Sequence, residues 1–117
     1  MTGNRIGEWI YFCPKEITVR DLYHIFEEQY DVEIWEDAEM LKILIGEKSS
    51  FDVESAEIHP KDTVTKAFVD ERGIKTVFLV TFMPKDYEEA EVLMKQVLAK
   101  YAGVFCGDTE DFMPQLC

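Results

Sequence analysis

Residues 74–103, IKTVFLVTFMPKDYEEAEVLMKQVLAKYAG, decide how this chain is read. Their first ten positions are almost continuously apolar, with Ile74, Thr76, Phe78, Val80 and Phe82 on one side of an extended chain and Val77, Leu79 and Met83 on the other. A strand that is apolar on both faces is central in its sheet and covered twice. Pro84, which cannot donate to a strand ladder, ends it, and Asp86 with Glu89 three places on marks a helix start. Ala90, Leu93, Met94, Val97, Leu98 and Tyr101 then recur at helical spacing until Gly103 stops the helix.

The same punctuation recurs upstream. Pro14, Lys15, Glu16 and Pro60, Lys61, Asp62 repeat the Pro-Lys-acid signal of Pro84, Lys85, Asp86, and each follows an apolar run and precedes a helical one. An acid in that place meets the exposed amides and positive dipole end of the coming helix. The first helix is expected from a Thr18 cap with Asp21, through Val19, Leu22 and Phe26 to Tyr30. The middle one is expected over residues 63–72, with Val64 and Phe68 one turn apart and Gly73 closing it. Strands are expected at residues 8–13, 32–36, 40–45, 51–58, 74–83 and 104–106.

The order is β-α-β-β-β-α-β-α-β. Pro84 stands 70 places after Pro14, and the segments around the two read alike: strand, Pro-Lys-acid, helix ending in Tyr, strand. This loose repeat predicts one α+β domain over residues 1–117: a single mixed sheet with two long helices on one face, a ferredoxin-like layout with an elaborated middle section. The other face needs a cover, for which the middle helix, the tail after Gly107 with Phe112, Met113 and Leu116, or a second copy of the chain are the candidates.

Composition bounds the function. The 117 residues hold 24 Asp and Glu against 12 Lys and Arg, a formal net charge of −12. Nucleic acid and anionic membrane both reward a cationic face, so neither is an expected partner. No apolar run approaches the roughly 20 residues of a membrane span, and residues 1–13 lack the basic start and long apolar stretch of a signal peptide, so a cytoplasmic location is expected. Cys13, Cys106 and Cys117 are odd in number and far apart, with neither disulfide nor zinc spacing. Gly-rich phosphate loops are absent, and no cofactor or metal is expected.

Acid is concentrated between residues 21 and 41, where Asp21, Glu27, Glu28, Asp31, Glu33, Glu36, Asp37 and Glu39 occur without a single Lys or Arg. Glu27 and Glu28 would sit in the last turn of the first helix, against its dipole. In the strand that follows, Val32 and Ile34 alternate with Glu33 and Trp35, so an inward aliphatic pair turns Trp35 outward beside Glu33 and Asp37. An outward Trp ringed by acids is the composition of a hot spot for a basic protein. The expected binding surface is Glu28, Glu33, Trp35, Glu36 and Asp37; the bland alternative is a solvated acidic edge whose Trp35 is covered by the tail or a dimer mate.

The function expected is therefore a small non-enzymatic binding protein, in concrete form an inhibitor or immunity-type protein masking a basic partner. In size and charge alone, with no motif in common, the chain is similar to bacterial immunity proteins that neutralise basic toxins. The alternative is a small enzyme or ligand-binding domain with a cleft between sheet and tail. It would use Cys13 or Cys106 with His24 or His59, or a divalent ion on Asp108, Glu110 and Asp111. A structural subunit of a larger assembly, joined through the doubly apolar strand, is the third reading.

Overall fold

The computed structural model describes residues 7–109 and 111–117. The chain runs β1 (Glu8–Cys13), α1 (Val19–Phe26), β2 (Asp31–Trp35), β3 (Met40–Leu44), β4 (Ser50–Ser55), α2 (Thr63–Arg72), β5 (Thr76–Thr81), α3 (Tyr87–Tyr101), β6 (Val104–Gly107) and β7 (Gln115–Leu116). A single 3-10 turn, Pro84–Asp86, leads into α3. The strands form one sheet in the order β2-β3-β4-β5-β1-β6-β7. Every pairing in it is antiparallel.

The expected mixed sheet is thus corrected to an antiparallel one, and the reason lies in the crossovers. The chain leaves β5 through α3 and returns at β6, on the far side of β1. It leaves β1 through α1 and returns at β2, beyond β5, β4 and β3. Strands that point the same way are never neighbours. As expected of its apolar sequence, β5 lies inside the sheet, between β4 and β1.

One face holds the main core. Val19, Leu22 and Phe26 of α1 and Ala90, Leu93, Met94 and Val97 of α3 pack there with Tyr11, Leu41, Ile43, Phe51, Phe78 and Phe105 of the sheet. Tyr11 stacks on Phe105 at 4.4 Å, and its hydroxyl donates to the Ala102 carbonyl at 2.6 Å, pinning the end of α3 to the sheet. Gly103 makes that junction possible: its φ is +92°, and a Cβ there would lie 2.3 Å from the Phe12 carbonyl oxygen.

Among the described residues, the second face is covered over β1, β5 and β6 only. Ile10, Phe12, Val104 and Cys106 are buried there beneath Phe68 and Val69 of α2 and Phe112 of the tail. Phe12, Phe68 and Phe112 form a ring cluster with centroids 4.6, 4.9 and 5.8 Å apart. Two of the candidate covers therefore share the work, although Met113 points to solvent and Leu116 packs against the main core instead. On α2, Phe68 and Val69 face the sheet, while Val64 stands 61% exposed.

Local chemistry moved several boundaries. The α1 helix ends at Phe26 rather than at Tyr30, because residues 27–29 form a turn in which both Gln29 and Tyr30 amides donate to the Phe26 carbonyl. Its start is as expected: the Asp21 carboxylate accepts from the Thr18 amide at 2.8 Å. Asp86 stands at the α3 cap position, but its side chain makes no capping bond. β4 ends at Ser55, short of the expected 58, because after the Ala56 amide bonds to the Val77 carbonyl the chain peels away toward α2. The α2 cap is Asp62, accepting from the Thr65 amide at 3.0 Å, and Gly73 closes the helix in the left-handed conformation.

Candidate functional site: the open half of the second face

Residues directly opposite in an antiparallel ladder share a face, so the register defines this surface. Across the strands runs the row Trp35, Met40, Glu54, Leu79, Ile10. Beside it runs Glu33, Lys42, Asp52, Thr81, and beyond that Asp31, Leu44, Ser50. The first row starts in solvent at β2 and ends under the cover at β1. Over β2, β3 and β4 no helix among the described residues lies on this side; α1 and α3 pack on the other.

Trp35 is 47% exposed, with Met40 and Leu44 each at 39%. Among them stand Asp31, Glu33, Glu54 and Asp52, with Lys42 the one cation in these rows. The alternation predicted for β2 is present: Val32 and Ile34 are half-buried against the main core, while Asp31, Glu33 and Trp35 are exposed. The tail does not cover Trp35, since β7 is the opposite edge of the sheet.

The five residues expected to form the surface do not all gather. Trp35, Glu36 and Asp37 lie together with Arg20 and Ile34 around a shallow concavity at the β2–β3 turn. Glu36 is ion-paired with Arg20, whose guanidinium also lies over the Tyr23 ring at 5.2 Å. Glu33 is on the same face as Trp35, two residues away along β2. Glu28 is at the other end of β2, in the α1–β2 turn, some 13 Å of strand from Trp35 at about 3.3 Å per residue. With α1 ending at Phe26, Glu28 is no longer inside the helix, and Glu27 is engaged by His24 Nδ1 at 2.6 Å.

Sequence reasoning missed Met40, Leu44 and Glu54. Their alternation with Leu41, Ile43 and Val53 carried the signal, but it becomes a surface only once the register sets them beside Trp35.

The thiol alternative finds no pair. Cys13 and Cys106 are fully buried and Cys117 is exposed. Burial pushes the Cys106 thiol up to about 11, so it stays protonated near neutrality and is a poor nucleophile. His24 is exposed on α1, and His59 sits in the β4–α2 linker with its Nδ1 accepting from the Lys61 amide at 3.1 Å. In the tail, the Asp111 carboxylate is spent locally on the Thr109 hydroxyl and the Met113 amide. Glu110, a third ligand in the metal alternative, lies outside the described residues; among those described, no three acids, cysteines or histidines converge as a metal site.

No helix among the described residues is long and apolar enough to cross a membrane. Comparison of the chain with family models, with curated proteins and with solved structures finds no match.

Proposed function

We propose that this chain is a non-enzymatic binding protein whose open β2-β3-β4 face docks on a basic protein, in the manner of an inhibitor or immunity-type protein. One observation carries the reading: Trp35 stands exposed with Met40 on a sheet face that no described helix covers, surrounded by carboxylates. A large ring able to be desolvated at the centre of a charged rim is how interfaces concentrate affinity and steer association. Glu33, Asp37 and Glu36 supply the rim at Trp35, with Arg20 holding Glu36 in place, and Glu28 extends the negative field along β2. Free thiols at Cys13, Cys106 and Cys117 suit a reducing compartment such as the cytoplasm.

We read the fold that presents this face as ferredoxin-like, with β6, β1, β5 and β2 as its four strands and the β3–β4 hairpin inserted before the last. On that reading the insertion is what widens the sheet beyond its helical cover and creates the open face.

The test is capture from the source cell on immobilised wild-type protein, Trp35→Ala and Glu33→Lys, each at low and high salt. Basic proteins retained by wild type, released by salt and lost from both variants are expected. A retained set that is the same for all three proteins would overturn the reading.

A further inference from the structure

The second face carries another concavity, on the other side of Glu54. Where α2 starts, the helix stands off the sheet, because its packing residues Phe68 and Val69 lie in its second half. Beneath its first turn opens a cleft of about 820 Å³, bounded by the β4–α2 linker on one side and the tail on the other. This is within the size range of small-molecule sites, roughly 300 to 1,000 Å³. Its floor is Ile10, Val77 and Leu79, and its apolar walls are Val64, Ile58 and Phe112. Exposed Val64 has an explanation here: it overhangs the cleft.

Carboxylates predominate around that apolar floor, with His59 beside them. Glu57 and Asp62 reach the lining from the β4–α2 linker and Asp108 from the tail, and no lysine or arginine lines it among the described residues. The three do not converge on one point as metal ligands do. Spaced carboxylates around an apolar floor match a cation that carries its own apolar body, not a bare ion. Thr65 and Thr109 complete the rim, the Thr109 hydroxyl being taken up within the tail by Asp111 and Met113.

We propose that this cleft is a binding site for an organic cation, a primary ammonium or guanidinium on an apolar stem, with the stem on Val77, Leu79 and Phe112 and the charge held among Glu57, Asp62 and Asp108. The site is independent of the Trp35 face, and its outcome does not depend on whether that face binds protein. Two sources supply such a group: a free amine, or a Lys or Arg side chain of a bound protein.

The experiment is a titration of the full-length protein followed by amide NMR shifts, with n-hexylammonium, n-hexanoate and the blocked tripeptide acetyl-Ala-Lys-Ala-amide as probes. Saturable shifts confined to residues 56–65 and 77–79 and to Asp108, Thr109 and Phe112 are expected with hexylammonium, and none with hexanoate. Tighter binding of hexylammonium than of the tripeptide assigns the site to a free amine; the reverse order assigns it to a protein side chain. The double variant Glu57→Gln, Asp108→Asn, both at exposed positions, should weaken hexylammonium about fivefold or more, since one charge contact at 4 Å in water is worth about that factor. Val64→Arg, which tethers a guanidinium at the rim, should abolish binding, and Trp35→Ala should leave it unchanged. Absence of shifts at these residues with either cation, or equal shifts with hexanoate, would overturn the proposal.

Discussion

The two halves of one sheet face differ in what they are made of and in what covers them. Over β1, β5 and β6 the residues facing this side include Ile10, Phe12, Val77, Leu79, Val104 and Cys106, and α2 and Phe112 close over them except where the cleft opens above Ile10, Val77 and Leu79. Over β2, β3 and β4 the same alternation delivers Trp35, Glu33, Met40, Lys42, Glu54 and Asp52, and no helix among the described residues packs over them. The first half is a small core; the second is a surface that keeps a few large apolar groups among charges. A charged rim makes sealing that half with a helix costly, since exposed carboxylates such as Glu33 and Glu54 would lose their water. Exposure of Trp35 follows from the acids around it.

The covered half should be the sensitive one. Phe12→Ala removes a fully buried ring from the cluster with Phe68 and Phe112, and should lower the free energy of unfolding by about 3 to 5 kcal/mol, the usual scale for a core Phe. Denaturant unfolding measures it, and a loss under about 1 kcal/mol would mean that this half is no core. Phe112→Ala should cost about 1 to 2 kcal/mol, because that ring is only half-buried and its backbone stays fixed through Thr109, whose hydroxyl bonds the Met113 carbonyl.

Alkaline titration reaches the same half from another direction. Cys106 is held up to about 11 from an ordinary 9.0, so the folded chain keeps its proton longer than the unfolded one does. Between those two values the unfolded state binds fewer protons, and stability must fall as pH rises. It is fully present below about 9. Tyr11, raised by burial in the main core, adds a loss at still higher pH. Cys106→Ala should flatten the first part of the decline and leave the second; an unchanged profile would put Cys106 in contact with solvent.

Why some of this was readable in the sequence and some was not comes down to range. The bounds of β1 and α2 could be read residue for residue, since Pro14 stops the one and Asp62 and Gly73 bracket the other. The outward turn of Trp35 was legible too, because alternation in β2 is a local property. Tyr30 misled: it sits one turn beyond Phe26 and touches that ring at 6.1 Å, yet the backbone has already left the helix. β7, two residues long, has no period to detect. The separation of Glu28 from Trp35, the joining of Met40 and Glu54 to it, and the carboxylates of the cleft depend on register and crossover, which no short window contains.

The smallest expected effect is the most informative about the open half. Trp35→Ala removes a ring whose neighbours on its own face are Met40 across the strand pair and Glu33 along it, with about half of its surface already in water. Little apolar area returns to solvent on unfolding, and β2 keeps Val32 and Ile34 on the main core, so stability should change by no more than about 0.5 kcal/mol. Sedimentation should show no change in oligomeric state. Against a basic partner the same variant should cost about 2 kcal/mol or more, mostly in dissociation, while Glu33→Lys should slow association at low salt and converge on wild type as ions screen the face. A dimer that dissociates when Trp35 is removed, or a melting temperature several degrees lower, would make the ring a structural cover. The contrast between the halves would then be between two cores, one of them completed by a second chain.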